Sequence, residues 1–365
     1  MDKCYLCPSL ASALVLLLAL SSSAGAFGYG DATGNGSTLP GIDPLSMGMG
    51  GARAINPEGP TSIFLNPARM SSGEGTALFL GGGPAIVSET VEDSTGKYKR
   101  SYAGLGQICL AAGTGLTGGI SGGLGVARVT DHTYDGVRFL DEDPENPGVV
   151  TDIEYFDSAG GLWEAVGGLA FRATEWLDVG ASVGGRFGSY DYTFTHQDLV
   201  EGTSTDSTGG WDESGLCWHA GASARFEWIA LGTSYAAGDD RYPSRFALGG
   251  LIYTDPVGNQ ALGLEFEVAS IGGDRCYTGR LVGQFSLSKS LRLRAGCFLI
   301  DRPALSESES VGLAGGGRIG WGDLGLEFSL AWLTDKRDEP IFRLENAYYV
   351  SDNPALVAVG LDWRI

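Results

Sequence analysis

The sequence predicts an all-β protein, about 14 antiparallel strands closed into a transmembrane β-barrel behind an N-terminal segment that is not strand. Three observations carry this reading. Apolar residues alternate with small or polar ones at period two through most of the chain. The connections between these segments are tight at one end and mostly longer and polar at the other, the asymmetry of outer-membrane barrels. Beyond the N-terminal leader, no apolar run approaches the roughly 20 residues a spanning helix needs, and a closed barrel satisfies its backbone without such helices.

Composition narrows the partners. Glycine supplies 59 of 365 residues, with no period of three that would indicate collagen. Carboxylates outnumber Lys and Arg 44 to 24, a net charge of -20. This argues against nucleic acid, whose phosphates must be neutralised by basic residues. A hydrophobic content of 43% is too high for disorder.

Taken in order, residues 1–26 read as a signal peptide: Lys3, an apolar run from Leu10 to Leu20, and the small-residue site Ala24-Gly25-Ala26. Cys4 and Cys7 precede the run. Cys109, Cys217, Cys276 and Cys297 stand singly in strand-like segments, with no CxxC spacing, and read as packed thiols. Residues 27–75 do not alternate and read as a compact plug. Residues 76–365 form the barrel, with strand-like segments near 76–90, 98–112, 117–131, 160–172, 177–195, 210–226, 228–238, 244–255, 260–271, 275–288, 290–301, 309–321, 323–334 and 354–365. Their tight connections include Gly113 to Leu116, Ala173 to Trp176 and Trp321 to Asp323; the longer ones are 132–159, 196–209, 302–308 and 335–353.

In a membrane barrel the apolar face of each strand meets lipid and the polar face meets the lumen. Glu265, Glu267, Arg280, Gln284, Arg292, Arg294, Glu327, Asp362 and Arg364 are therefore expected inside, where their opposite signs cross-brace the interior. Trp176, Trp228, Trp321 and Trp363 fall at the short-turn end, where an aromatic girdle meets the lipid bilayer. From Asp131 to Asp157 run nine acidic residues and one Arg. Asp141, Glu142, Asp143, Glu145 and Asn146 supply oxygen ligands of the kind Ca²⁺ takes, but without EF-hand spacing, so a solvated loop is expected.

Motifs that resemble catalytic signatures lack their settings. Gly113, Gly115 and Gly118 spell GxGxxG with no helix following, and Gly119 to Gly123 spell GxSxG inside a strand-like run. Ser286 and Lys289 form SxxK at a hairpin end, and His132, His196 and His219 lie far apart. No enzyme activity, cofactor or metal is expected.

Within 27–75 stand Met49-Gly50-Gly51-Ala52 and, further on, Asn66-Pro67-Ala68. A glycine-rich segment followed by Asn-Pro-Ala ahead of a 14-stranded barrel resembles the FadL-type outer-membrane transporters of hydrophobic compounds, and the related PorV-type barrels of type IX secretion. The resemblance implies a bacterial outer-membrane location and a hatch carrying Gly50, Gly51, Ala52, Asn66, Pro67 and Ala68. It also implies a third-strand kink, placed here near Gly118, Gly119, Gly122, Gly123 and Gly125, since glycine inside a strand marks bends. The implied function is passive uptake of a hydrophobic small molecule, such as a fatty acid or aromatic hydrocarbon, by hatch movement and lateral release. The alternative is a scaffold or shuttle for secreted proteins. The chain ends Trp363-Arg364-Ile365 where such barrels usually end in Phe, yet its alternating apolar positions still suit the outer-membrane barrel-assembly machinery.

Overall fold

The computed structural model describes residues 37–38, 41–56, 58–70, 75–93, 95–143, 145–254, 260–271, 274–302, 308–334 and 349–365. The expected signal peptide 1–26, most of 27–40, and residues 255–259, 303–307 and 335–348 lie outside them.

Fourteen strands form the wall: β1 (Thr76–Asp93), β2 (Gly96–Gly115), β3 (Ile120–Asp131), β4 (Val150–Arg172), β5 (Leu177–Asp198), β6 (Thr203–Arg225) and β7 (Ile229–Ala236). They continue with β8 (Ser244–Tyr253), β9 (Gln260–Ile271), β10 (Asp274–Ser286), β11 (Leu291–Arg302), β12 (Ser308–Trp321), β13 (Leu324–Thr334) and β14 (Tyr349–Arg364). Each pairs antiparallel with its sequence neighbours, and β14 returns to β1, with Arg364 opposite Ala77. The sheet thus closes on itself as a barrel. Among the described residues no helix is long and apolar enough to cross a membrane.

Period two decides which face each residue takes. Along β9, Leu262, Leu264 and Phe266 are exposed on the outside, while Glu265 and Glu267 between them are buried: Leu264 is 66% exposed and Glu265 3%. Along β13, Phe328, Leu330 and Trp332 face out and Glu327, Ser329 and Ala331 face in. An outside that is apolar and an inside that carries the charge is the inverse of a soluble sandwich, and it suits a wall bathed in lipid. Trp176, Trp228, Trp321 and Trp363 are all exposed beside the short turns.

Two of the expected long loops are instead tall hairpins. β5 runs to Asp198 and β6 resumes at Thr203, leaving a turn of 199–202 rather than a loop of 196–209. Most of the acidic stretch is also strand, because Tyr134–Glu142 pairs with the upper part of β4. Tyr, Phe, Thr and Ile interleave with the carboxylates in this stretch, and such residues favour pairing even above the membrane. β4, β5 and β6 reach 23, 22 and 23 residues, about twice the 9–11 a bilayer requires.

Candidate functional site

The interior is occupied by residues 41–70. This segment touches the wall from β2, where Gln107 Nε2 donates to Gly41 O at 2.6 Å, round to β13, where Ser329 Oγ lies 3.1 Å from Met47 Sδ. It also reaches Ala222 on β6, seven strands from Ser329, and contacts with strands on opposite sides are available only to a segment inside the barrel. Its turns are locally encoded. Asp43 caps a short helix, Pro44–Met47, by accepting from Ser46 N at 2.7 Å. Gly50 and Gly51 hold φ values of 65° and 80°, a region that favours glycine. Asn66 caps the 3₁₀ turn Pro67–Arg69 through its Oδ1, while its Nδ2 donates to Ala54 O at 2.8 Å and to Ala222 O on β6 at 3.3 Å. Ala52 and Ala68 are buried.

Glycines on the inner faces of the strands make room for this backbone. A Cβ on Gly180 would fall 2.5 Å from Ala68 N, one on Gly232 2.1 Å from Ala54 O, and one on Gly296 2.7 Å from Gly50 N.

The charged residues expected in the lumen gather beneath and around the segment. Glu265 accepts from three successive amides, Arg53 N at 2.8 Å, Ala54 N at 2.8 Å and Ile55 N at 3.1 Å. Arg280 pairs with Glu265 at 3.1 Å and with Glu267 at 2.8 Å, and donates from Nε to Gly50 O at 3.0 Å. Glu267 also takes Arg245 at 2.8 Å. Arg294 and Arg318 share Glu327, at 2.7 Å and 3.2 Å, and Arg318 reaches Asp362 at 2.8 Å. Gln284, Arg292 and Arg364 line a cavity at the short-turn mouth.

The third strand departs from expectation in position. It begins at Ile120, so Gly118 and Gly119, with φ of 74° and 77°, belong to the preceding turn. From Ser121 to Ala127 the strand is paired on both edges, so no break falls at Gly122, Gly123 or Gly125. Gly123 and Gly125 instead face the inner segment: Cβ atoms there would meet Met70 Sδ at 3.1 Å and the Phe64 ring at 2.6 Å. Gly122 points outward to Leu169.

The break comes above Ala127. The β2–β3 ladder ends at Cys109 opposite Ala127, although β2 continues along β1 as far as Gly96. β3 shifts register against β4 between Arg128 and Thr130, and Ser37–Thr38 pairs with Asp131 and Thr130 on the edge that β2 has left. Tyr134 then reaches inward, its hydroxyl donating to Glu89 on β1 at 2.8 Å while Arg100 of β2 lies over its ring at 4.6 Å. Among the described residues no ladder joins β2 to β3 over this upper half. Sequence reasoning missed Tyr134 and Glu89, and the three amides on Glu265, because no local pattern links residues so far apart.

A metal has one cluster to consider among the described residues. Ligand atoms of Glu164, Cys217 and His219 lie within 4.8 Å of one another, all buried. Both carboxylate oxygens are already engaged, one by Arg186 Nη2 at 2.6 Å and the other by His219 Nε2 at 3.1 Å. Arg186 also pairs with Asp239 and lies 4.1 Å from the Tyr242 ring centroid. The group reads as a charge-paired brace within the wall.

No family model matches the chain, and no curated protein sequence matches it. Solved structures do. The chain is similar to a Pseudomonas aeruginosa FadL homologue, with 12% identity, a TM-score of 0.65, and coverage of 90% of this chain and 99% of that one. It is likewise similar to the toluene transporter TodX of P. putida, with 15% identity and a TM-score of 0.66, and to the toluene transporter TbuX of Ralstonia pickettii, with 15% identity and a TM-score of 0.62. Both of these comparisons cover 90% of this chain and 99% of the other. The shared feature is the fold, a closed antiparallel β-barrel.

Proposed function

We propose that this chain is a bacterial outer-membrane channel for passive entry of hydrophobic small molecules, with residues 41–70 as a hatch and the upper β2–β3 seam as the lateral exit. One observation carries the reading: the β2–β3 ladder ends at Cys109 opposite Ala127, beside a lumen filled by a separate segment. A polar solute gains nothing from an exit into lipid, whereas an apolar one is stabilised by about 25 cal/mol per Å² of surface removed from water. The likeness to toluene transporters supports an apolar cargo, and fatty acids share the physical requirement.

The test pins the hatch. A Cβ on Gly221 falls 2.8 Å from Asn66 Cγ, so Asn66→Cys with Gly221→Cys, in a chain freed of its own cysteines, places two thiols within disulfide reach. Uptake of labelled toluene or oleate by cells carrying this variant is expected to stop on oxidation and return on reduction. Uptake indifferent to the bond would overturn the hatch role. A stoichiometric exported protein copurifying with the chain would favour the scaffold or shuttle reading instead.

A further inference from the structure

A cavity of about 260 Å³ lies below the inner segment at the short-turn mouth, the periplasmic side of such a barrel. Its walls divide by chemistry. Met49, Ile55 and Leu251 form an apolar floor, while Arg69, Arg225, Arg292 and Arg364 converge on it with Glu58 as the sole carboxylate of the lining. In a chain of net charge -20, this local excess of cations stands out.

The arginines are incompletely paired. Glu58 lies 4.0 Å from Arg69 and 3.9 Å from Arg225, too far for a hydrogen bond to either. Arg69 is 8% exposed; its Nη1 donates to Ser223 Oγ at 3.2 Å and its Nε has no partner. Arg292 donates to Ser286 Oγ at 3.2 Å, and among the described residues neither it nor Arg364 has a carboxylate partner. The neighbouring carboxylates Glu327 and Asp362 are already taken by Arg294 and Arg318. Of the four only Arg69 is buried, while Arg292 is half-buried and Arg225 and Arg364 are exposed. Burying the Arg69 donor without an acceptor is costly, and a bidentate acceptor entering the cavity would relieve it.

We infer that this cavity is a binding site for a small amphipathic carboxylate, its anionic head on Arg69, Arg292 and Arg364 and its apolar body on Met49, Ile55 and Leu251. The volume lies just under the ~300–1,000 Å³ of drug-sized sites, which fits an aromatic or short aliphatic acid. The inference rests on the channel reading in one respect: cargo that passes the hatch instead of leaving by the β2–β3 seam arrives here. It makes the periplasmic mouth selective for an acid, a property a neutral hydrocarbon does not use.

The experiment is a ¹⁹F NMR titration of the full chain in nanodiscs, with 4-fluorobenzoate against 4-fluorobenzyl alcohol and with empty nanodiscs correcting for partition. Charge-assisted bonds of this kind correspond to roughly a tenfold or greater preference for the acid. The expected result is that preference in the unmodified protein, reduced to within about twofold in Arg292→Gln/Arg364→Gln and weakened in Arg69→Gln. Equal affinity for acid and alcohol in the unmodified protein would overturn the site whatever the variants do. So would a preference that survives Arg292→Gln/Arg364→Gln, or displacement of the acid by inorganic phosphate as readily as by unlabelled benzoate. Passage of 4-fluorotoluene through the unmodified protein tests the channel reading separately, because that neutral probe has no head group for the arginines.

Discussion

From β7 to β13 the strands run from 8 to 14 residues, and each is bonded along both edges. From β4 to β6 they run to 22 or 23 residues, and beside them the β2–β3 ladder stops after seven pairs. The short wall faces the lumen with Glu and Arg on nearby strands, several of which pair across the sheet. Along the tall wall, a single polar bond stands where the β2–β3 ladder has ended, as Tyr134 meets Glu89. The difference shows where this barrel gives up backbone pairing: at the two flanks of the tall wall, above Cys109 on β2 and above His219 on β6.

The comparison breaks most easily at Glu265, which ties the short wall to the inner segment. Glu265→Ala leaves three buried amides without their acceptor and takes one of two carboxylates from Arg280. A loss of about 3–5 kcal/mol is expected, read as an earlier heat transition in detergent and as faster proteolysis within 41–70. Tyr134→Phe removes the bond that replaces the ladder above Cys109. The expected cost is about 1.5–3 kcal/mol, with hydrogen exchange accelerated along 134–142 and unchanged in β9 to β13. If exchange rises equally everywhere, the two walls are not independent.

A third test sharpens the orientation of β3. Gly125→Val meets the Phe64 ring and should destabilise by about 1–3 kcal/mol, whereas Gly122→Val, pointing outward to Leu169, should fall within about 0.5 kcal/mol of the parent. Reversed outcomes would mean that the strand presents its other face to the lumen. The smallest effect belongs to the turn at the tip of the tall wall. The side-chain bond from Asn146, with the backbone N–H of Glu145, holds the Asp143 carboxyl below its usual 3.8. The ionised form therefore supports the turn above pH 3.8 and loses that support as acid protonates it. Chemical shifts at Glu145 and Asn146 should move below that pH, and Asn146→Ala should abolish most of the shift in Asp143 titration.

The wall was legible because its signal is local. Leu262, Leu264 and Phe266 alternate with Gly263, Glu265 and Glu267, so a two-residue period assigns both strand and face, and the lumen positions of Glu267, Arg280, Arg294 and Glu327 follow from it. Residues that act across the barrel were not legible. Glu265 and the amides of residues 53–55 are separated by 210 to 212 positions, and nothing in either stretch names the other. The glycines of β3 misled in an instructive way. Glycine in a strand signals either a bend or a close neighbour, and Gly123 and Gly125 took the second meaning because Met70 and Phe64 lie against them. The hairpin heights were hidden for a third reason: acidic residues that read as loop also pair as strand when Tyr, Phe and Ile alternate with them.

The seam between β1 and β14 adds a constraint on assembly order. Thr76 and Ile365 clasp each other there, with Thr76 N donating to Ile365 O at 3.2 Å and Ile365 N to Thr76 O at 2.8 Å. The inner segment leads directly into β1, so its far end is fastened at the strand that must be zipped last. A cylinder sealed first would have to admit a capped helix and two 3₁₀ turns through a mouth already ringed with side chains. Closing the last strand over an occupied interior avoids that passage.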